Sequence, residues 1–129
     1  MNNSIEIILD LPFPPSGSAI WRYVGRGRVI KSPKYKSWIK DADATVMLLH
    51  EYPKHKITGP FEIVVLLNDE IRKRGDGDNY GQKAILDYCQ SRELIRNDVD
   101  CRRGSWEWVE ASLAPRGCRI TLRNLHHHD

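Results

Sequence analysis

Three features of the chain predict an α+β fold: a two-layer arrangement in which a mixed sheet of about four to five strands packs against two helices. The stretch "IEIILDL" alternates, with Ile5, Ile7, Leu9 and Leu11 on one face and Glu6 and Asp10 on the other, as a half-buried strand does. "FEIVVLLN" (61–68) is apolar on nearly both faces, as a central strand is. Two helical periodicities lie between and after these strands, and 129 residues suit one domain spanning 1–129.

The remaining elements follow in order. "PFPPSGS" ends the first strand, because proline cannot donate to a sheet ladder. "AIWRYVGRGRVI" predicts a short hairpin or extended loop around Gly25 and Gly27, with its arginines in solvent. Ser32 followed by Pro33 signals a helix start. Tyr35, Trp38, Ile39, Ala42, Val46 and Leu49 then predict an amphipathic helix over 33–51, with Tyr35 and Trp38 in the core. "YGQKAILDYCQSR" (80–92) gathers Ala84, Ile85, Tyr88 and Cys89 on one side, a helix capped by Asp78 or Asn79. "LIRNDVDCRRG" reads as a polar turn, "SWEWVEASL" (105–113) as a strand with Trp106 and Trp108 packed on the sheet, and "CRITLR" (118–123) as the last strand. The four residues "APRG" between them predict an antiparallel hairpin.

Composition narrows function. At 40% hydrophobic and 29% charged, the chain is globular rather than disordered. No apolar run approaches the ~18 residues of a membrane span. "MNNSIEIILDLPF" lacks the basic start of a secretory signal, and three cysteines without CxxC spacing read as reduced thiols; both predict a cytoplasmic protein. Net charge is +3, but residues 11–40 hold Arg22, Arg26, Arg28, Lys31, Lys34, Lys36 and Lys40 and no acid. Trp21, Tyr23, Tyr35 and Trp38 are interleaved there, so either nucleic acid or a solvated basic face accounts for the segment.

The acids are placed as unusually as the cations. Asp76 and Asp78 stand two apart behind Arg72, Lys73 and Arg74, and Asp98 and Asp100 follow the second helix. Two close carboxylates need a positive neighbour to stay ionised together. If a strand–helix–turn unit returns the turn to the strand's end, three carboxylates surround one cavity suited to Mg²⁺ or Mn²⁺. Plainer alternatives are a solvated turn, a calcium loop with Asp76, Asp78, Gly81 and Asp87 at positions 1, 3, 6 and 12, and a simple helix pair between Lys83 and Asp87.

Taken together, "PPS" (14–16), a basic segment, a Ser-started helix, "DGDN" (76–79), "KAILD" (83–87) and "RND" (96–98) make the chain resemble the RusA-type Holliday junction resolvases along nearly its whole length. The resemblance implies a Mg²⁺-dependent endonuclease, with Mn²⁺ as the other candidate ion, that acts as a homodimer without a small-molecule cofactor. It would resolve four-way DNA junctions by paired hydrolysis, leaving 5′-phosphate and 3′-hydroxyl ends. It implies metal-binding and catalytic roles for Asp76, Asp78 and Asp98, and charge stabilisation by Lys83. Arg22, Arg26, Arg28, Lys31, Lys34, Arg72, Lys73 and Arg74 would contact DNA. Gln82 is the alternative occupant of the lysine position and Asp100 of the third acid. A nuclease preferring flaps or forks and a non-catalytic DNA-binding module are the competing functions.

Overall fold

In the computed structural model, which describes residues 4–15, 21–49, 55–71 and 81–125, the alternating stretch near the start forms β1 (Glu6–Pro12). Ile7, Leu9 and Leu11 enter the core as their spacing requires. Asp10, on the other face, is also buried; Arg119 of the adjacent strand donates to its carboxylate at 2.8 Å. The basic segment forms a separate antiparallel hairpin, β2 (Trp21–Tyr23) and β3 (Val29–Lys31).

Helix α1 (Pro33–Leu49) begins where the Ser-Pro signal places it: the Ser32 hydroxyl accepts from the Tyr35 amide at 3.1 Å. Tyr35, Trp38, Ala42 and Val46 are its buried stripe. Trp38 adds a bond to β1, donating from Nε1 to the Pro12 carbonyl at 3.0 Å. The last two positions expected of this helix lie outside the described residues.

Strand β4 (Phe61–Asn68) is interior, as its apolar faces predict. Helix α2 (Gln82–Ser91) follows, burying Ala84, Ile85, Tyr88 and Cys89. Then come β5 (Cys101–Val109) and β6 (Gly117–Asn124). The sheet order is β1-β6-β4-β5, with β4 and β5 parallel and the other pairs antiparallel. Together with the separate hairpin and two helices this is the expected α+β architecture.

Three expectations need correction. β5 and β6 are not a hairpin, since β4 lies between them. β5 runs Cys101–Val109 rather than 105–113, so the link to β6 is longer and contains a 3₁₀ turn at Ala111–Leu113. That length lets the chain step over β4, two strand spacings or about 10 Å away. Asn68, at the end of β4, secures the crossing by donating to the Ala114 carbonyl at 3.2 Å. Neither Asp78 nor Asn79 is the cap of α2. Gly81 holds that position in a left-handed conformation (φ 72°), and among the described residues no side chain caps the helix. Among the described residues, no helix is long and apolar enough to cross a membrane.

Candidate nucleic-acid and metal site

The parallel pairing of β4 with β5 decides where the acids after α2 sit. Phe61, the first residue of β4, pairs with Cys101, the first of β5. The 3₁₀ turn Asp98–Asp100 therefore enters the sheet at the starting end of β4. Chain leaving β4 through Asp69–Ile71 departs from the other end, where Gly81 also packs against Pro14 beyond β1. A Cβ at Gly81 would overlap the Pro14 ring, so glycine serves there both for its positive φ and for close approach. Ten residues of α2 span about 15 Å, and the Asp98 turn lies at the far end from Gly81.

Within that turn the two acids differ. Asn97 caps it, its side-chain oxygen accepting from the Val99 amide at 3.2 Å. Asp100 is buried and held by Arg96 through Nε and Nη2, both at 3.2 Å. The Asp98 amide donates to Gln90 Oε1 at 3.2 Å, anchoring the turn to the last turn of α2. Asp98 is half-buried, and its carboxylate has no hydrogen-bond or ion-pair partner among the described residues. Of the two candidates for a third ligand, Asp98 is the open one and Asp100 is occupied.

Lys83 and Gln82 are both exposed in the first turn of α2. Lys83 pairs with Asp87 one turn on, at 3.3 Å, with the lysine side chain 54% exposed. So much exposure makes the pair weak and readily exchanged for another anion. Asp87 thus forms the helix pair its spacing predicts. Gln82–Asp87 are all helical, which excludes the twelve-residue calcium loop, whose later ligands need loop backbone. Asp76, Asp78, Arg72, Lys73 and Arg74 lie outside the described residues. Among the described residues no group of three His, Cys, Asp or Glu side chains converges.

The described cations fall into two groups. Arg22, Arg26, Arg28 and Lys31 lie on the hairpin and Lys34 on the first turn of α1; all are exposed, and none has an ion-pair partner among the described residues. Lys31 holds its ammonium 5.8 Å from the Tyr35 ring centroid, and it helps line a cleft of ≈ 280 Å³ with Tyr35, Asp87, Tyr88 and Gln90. Gln90 thus borders the cleft that Lys31 lines and also accepts from the backbone amide of Asp98. Burial, with the Asp87 charge adding to it, pushes the Tyr35 hydroxyl up to about 12, so it is a neutral donor at any working pH.

One cluster escapes sequence reasoning. Asp43 of α1 accepts from Tyr88 Oη at 2.7 Å and from Arg92 Nε and Nη2 at 2.8 and 2.7 Å. Arg92 also lies over the Tyr88 ring at 5.2 Å. This network ties α1 to the end of α2. Its members are 45 and 49 residues apart, so no local pattern reveals them. In comparison with known proteins, the chain matches no family model and no curated protein.

Proposed function

We propose that the protein is a divalent-metal-dependent endonuclease, acting in the cytoplasm as a homodimer that resolves four-way DNA junctions. The observation that supports it best is an exposed hairpin of cations and a carboxylate, Asp98, neither with an ion-pair partner among the described residues, with Gln90 bordering the Lys31 cleft and bonding the Asp98 amide. Cations hold a phosphate backbone while an open hard oxygen is available to a metal. Asp98 fits a magnesium ligand in chemistry and in being unspent; Asp100 does not, because Arg96 occupies it. Asp76 and Asp78 would complete the donor set. When bound, Mg²⁺ neutralises charge at the scissile phosphate and makes water a better nucleophile.

The chain's own groups do the rest. Arg22, Arg26, Arg28, Lys31 and Lys34 bind and orient the backbone, together with Arg72, Lys73 and Arg74. Lys83 leaves Asp87 to meet charge developing on the phosphate, a preorganised stabilisation of the oxyanion type. A junction has approximate two-fold symmetry, so paired cuts call for two copies related by the same axis.

Asp98 and Gly81 stand at opposite ends of α2, and this favours a second function: a DNA-binding module whose acidic stretch is structural. Incubating the protein with a four-way junction, a flap, a fork and a linear duplex, each in Mg²⁺ and in EDTA, separates the two. Metal-dependent nicks in the branched substrates support the nuclease, and the substrate cut fastest gives its preference. Binding without nicks in either condition supports the module. The Asp78→Asn variant should bind the junction at least as well as the parent and cut it no longer.

A further inference from the structure

We propose that the β2–β3 hairpin is a ribbon arm that enters the major groove of duplex DNA. Every residue from Arg22 to Lys31 is exposed, so among the described residues neither face of this two-stranded element is buried over that span. An isolated two-stranded ribbon is marginal in water, and one that stays bare on both sides is built to be covered by something else. Charge identifies the occupant: four cations and no acid in ten residues, none of them spent on an internal ion pair among the described residues.

Register gives the ribbon two faces. Tyr23 lies opposite Val29, and Arg22 opposite Ile30. Side chains directly opposite in an antiparallel pair share a face. One face thus presents the Tyr23–Val29 pair, with Tyr23 79% exposed and Val29 44%. The other presents Arg22 and Ile30. The Val24 amide donates to the Arg28 carbonyl at 3.1 Å, which closes the ribbon beneath a tip of Gly25, Arg26 and Gly27. All three tip residues have positive φ, at 89°, 51° and 71°. A ribbon of two strands about 4.8 Å apart, with side chains, matches a major groove about 12 Å wide and exceeds a minor groove of about 6 Å. Cations on the ribbon reach both phosphate walls, while Tyr23 and Val29 meet the groove floor, where thymine methyls offer apolar contact.

The base of the arm is fixed: β3 runs directly into Ser32, the cap of α1, and Lys31 sits against Tyr35. DNA held by the ribbon would therefore be held at a set distance from the Lys31–Gln90 cleft. This inference rests on the DNA-binding part of the function proposed above and not on its nuclease part.

The test measures binding of a fluorescent linear duplex and a four-way junction in EDTA over a series of salt concentrations. The proteins are the parent, R26A/R28A, R26K/R28K and Y23A/V29A. These positions are exposed, and unchanged thermal unfolding confirms that each variant folds. R26A/R28A should bind at least about tenfold more weakly near 0.1 M salt, with the slope of log K against log salt flatter by about 1.8, two phosphate contacts' worth. R26K/R28K should restore that slope. Methylation of guanine N7, which projects into the major groove, should block binding by the parent but not the residual binding of Y23A/V29A. Unchanged affinity and slope in R26A/R28A overturn the arm, as does parent binding indifferent to N7 methylation. Nicking of the junction in Mg²⁺ with hairpin variants that bind normally would leave the nuclease standing and remove the arm. The opposite pattern would do the reverse.

Discussion

Arg96 grips Asp100 in a forked pair, Nε to Oδ2 and Nη2 to Oδ1, across one turn of chain. The consequence is a division of labour between two acids two residues apart. Asp100 is held in an ion pair, while the Asp98 carboxylate has no ion-pair partner among the described residues. Replacing Asp100 with Ala leaves the 59% exposed Arg96 to water but empties a buried site and removes a forked pair, so stability should fall by about 1–2 kcal/mol. Asp98→Ala should change stability by less than about 0.5 kcal/mol, as an unpaired half-exposed residue does. Urea unfolding of the two variants measures the contrast.

The Asp43–Tyr88–Arg92 network should be the main tie between the helices. Asp43→Ala removes the charged acceptor of three hydrogen bonds, two of them from a guanidinium, and should cost about 2–3 kcal/mol. Tyr88→Phe removes one and should cost about 1 kcal/mol. Comparable losses from the two variants in thermal unfolding would contradict the assignment of Asp43 as the hub.

Gly81→Ala should destabilise by more than 1 kcal/mol, roughly, because it strains a left-handed cap and meets Pro14. Gly59→Ala is the control, since nothing lies within 4 Å of a Cβ there and its φ is not in the left-handed range. Chemical denaturation of the pair reads the difference.

Stability should fall at high pH. Burial pushes the Cys89 thiol up to about 12 and the Tyr35 hydroxyl, aided by Asp87, to about 12. Both ordinary values are lower, so between the unfolded and folded values the folded chain holds more protons than the unfolded one. The contribution is full below about pH 9 and drains away as pH rises towards 12. The midpoint of urea unfolding should therefore drop steadily over pH 9–11, and Cys89→Ala should flatten that decline. The same burial predicts that Cys89 and Cys118 react with a maleimide only on unfolding, whereas half-exposed Cys101 reacts in the native state.

Local pattern made β1, α1, β4, the stripe of α2 and the inward face of β6 legible. Each has a period of its own, and Ser32 announces its helix before any packing is considered. The pairing of β5 was not legible, because a short apparent linker looks the same whether it joins neighbours or steps over a third strand. Arg102, Arg103 and Gly104 also hide the start of β5, since they resemble a turn, yet at a sheet edge such residues face solvent without penalty. The cap of α2 was missed for a related reason: Asp and Asn advertise caps, while a left-handed glycine is chosen by contact with Pro14, 67 residues earlier in the chain. At the candidate site, sequence marked both Asp98 and Asp100, and only the three-dimensional position of Arg96 distinguishes them. Tyr23 and Val29 went unnoticed as an exposed pair, because alternation alone cannot show that a ribbon's inner face has nothing to pack on.

The proposed nuclease requires Asp98 to share a divalent cation with Asp76 and Asp78. The most direct measurement is binding of Mn²⁺ to the parent and to Asp98→Asn by electron paramagnetic resonance, alongside nicking of a four-way junction by the same two proteins. Mn²⁺ should bind the parent, bind Asp98→Asn at least about tenfold more weakly, and junction nicks should appear only with the parent. Equal Mn²⁺ affinity and equal nicking in the two proteins would contradict that requirement.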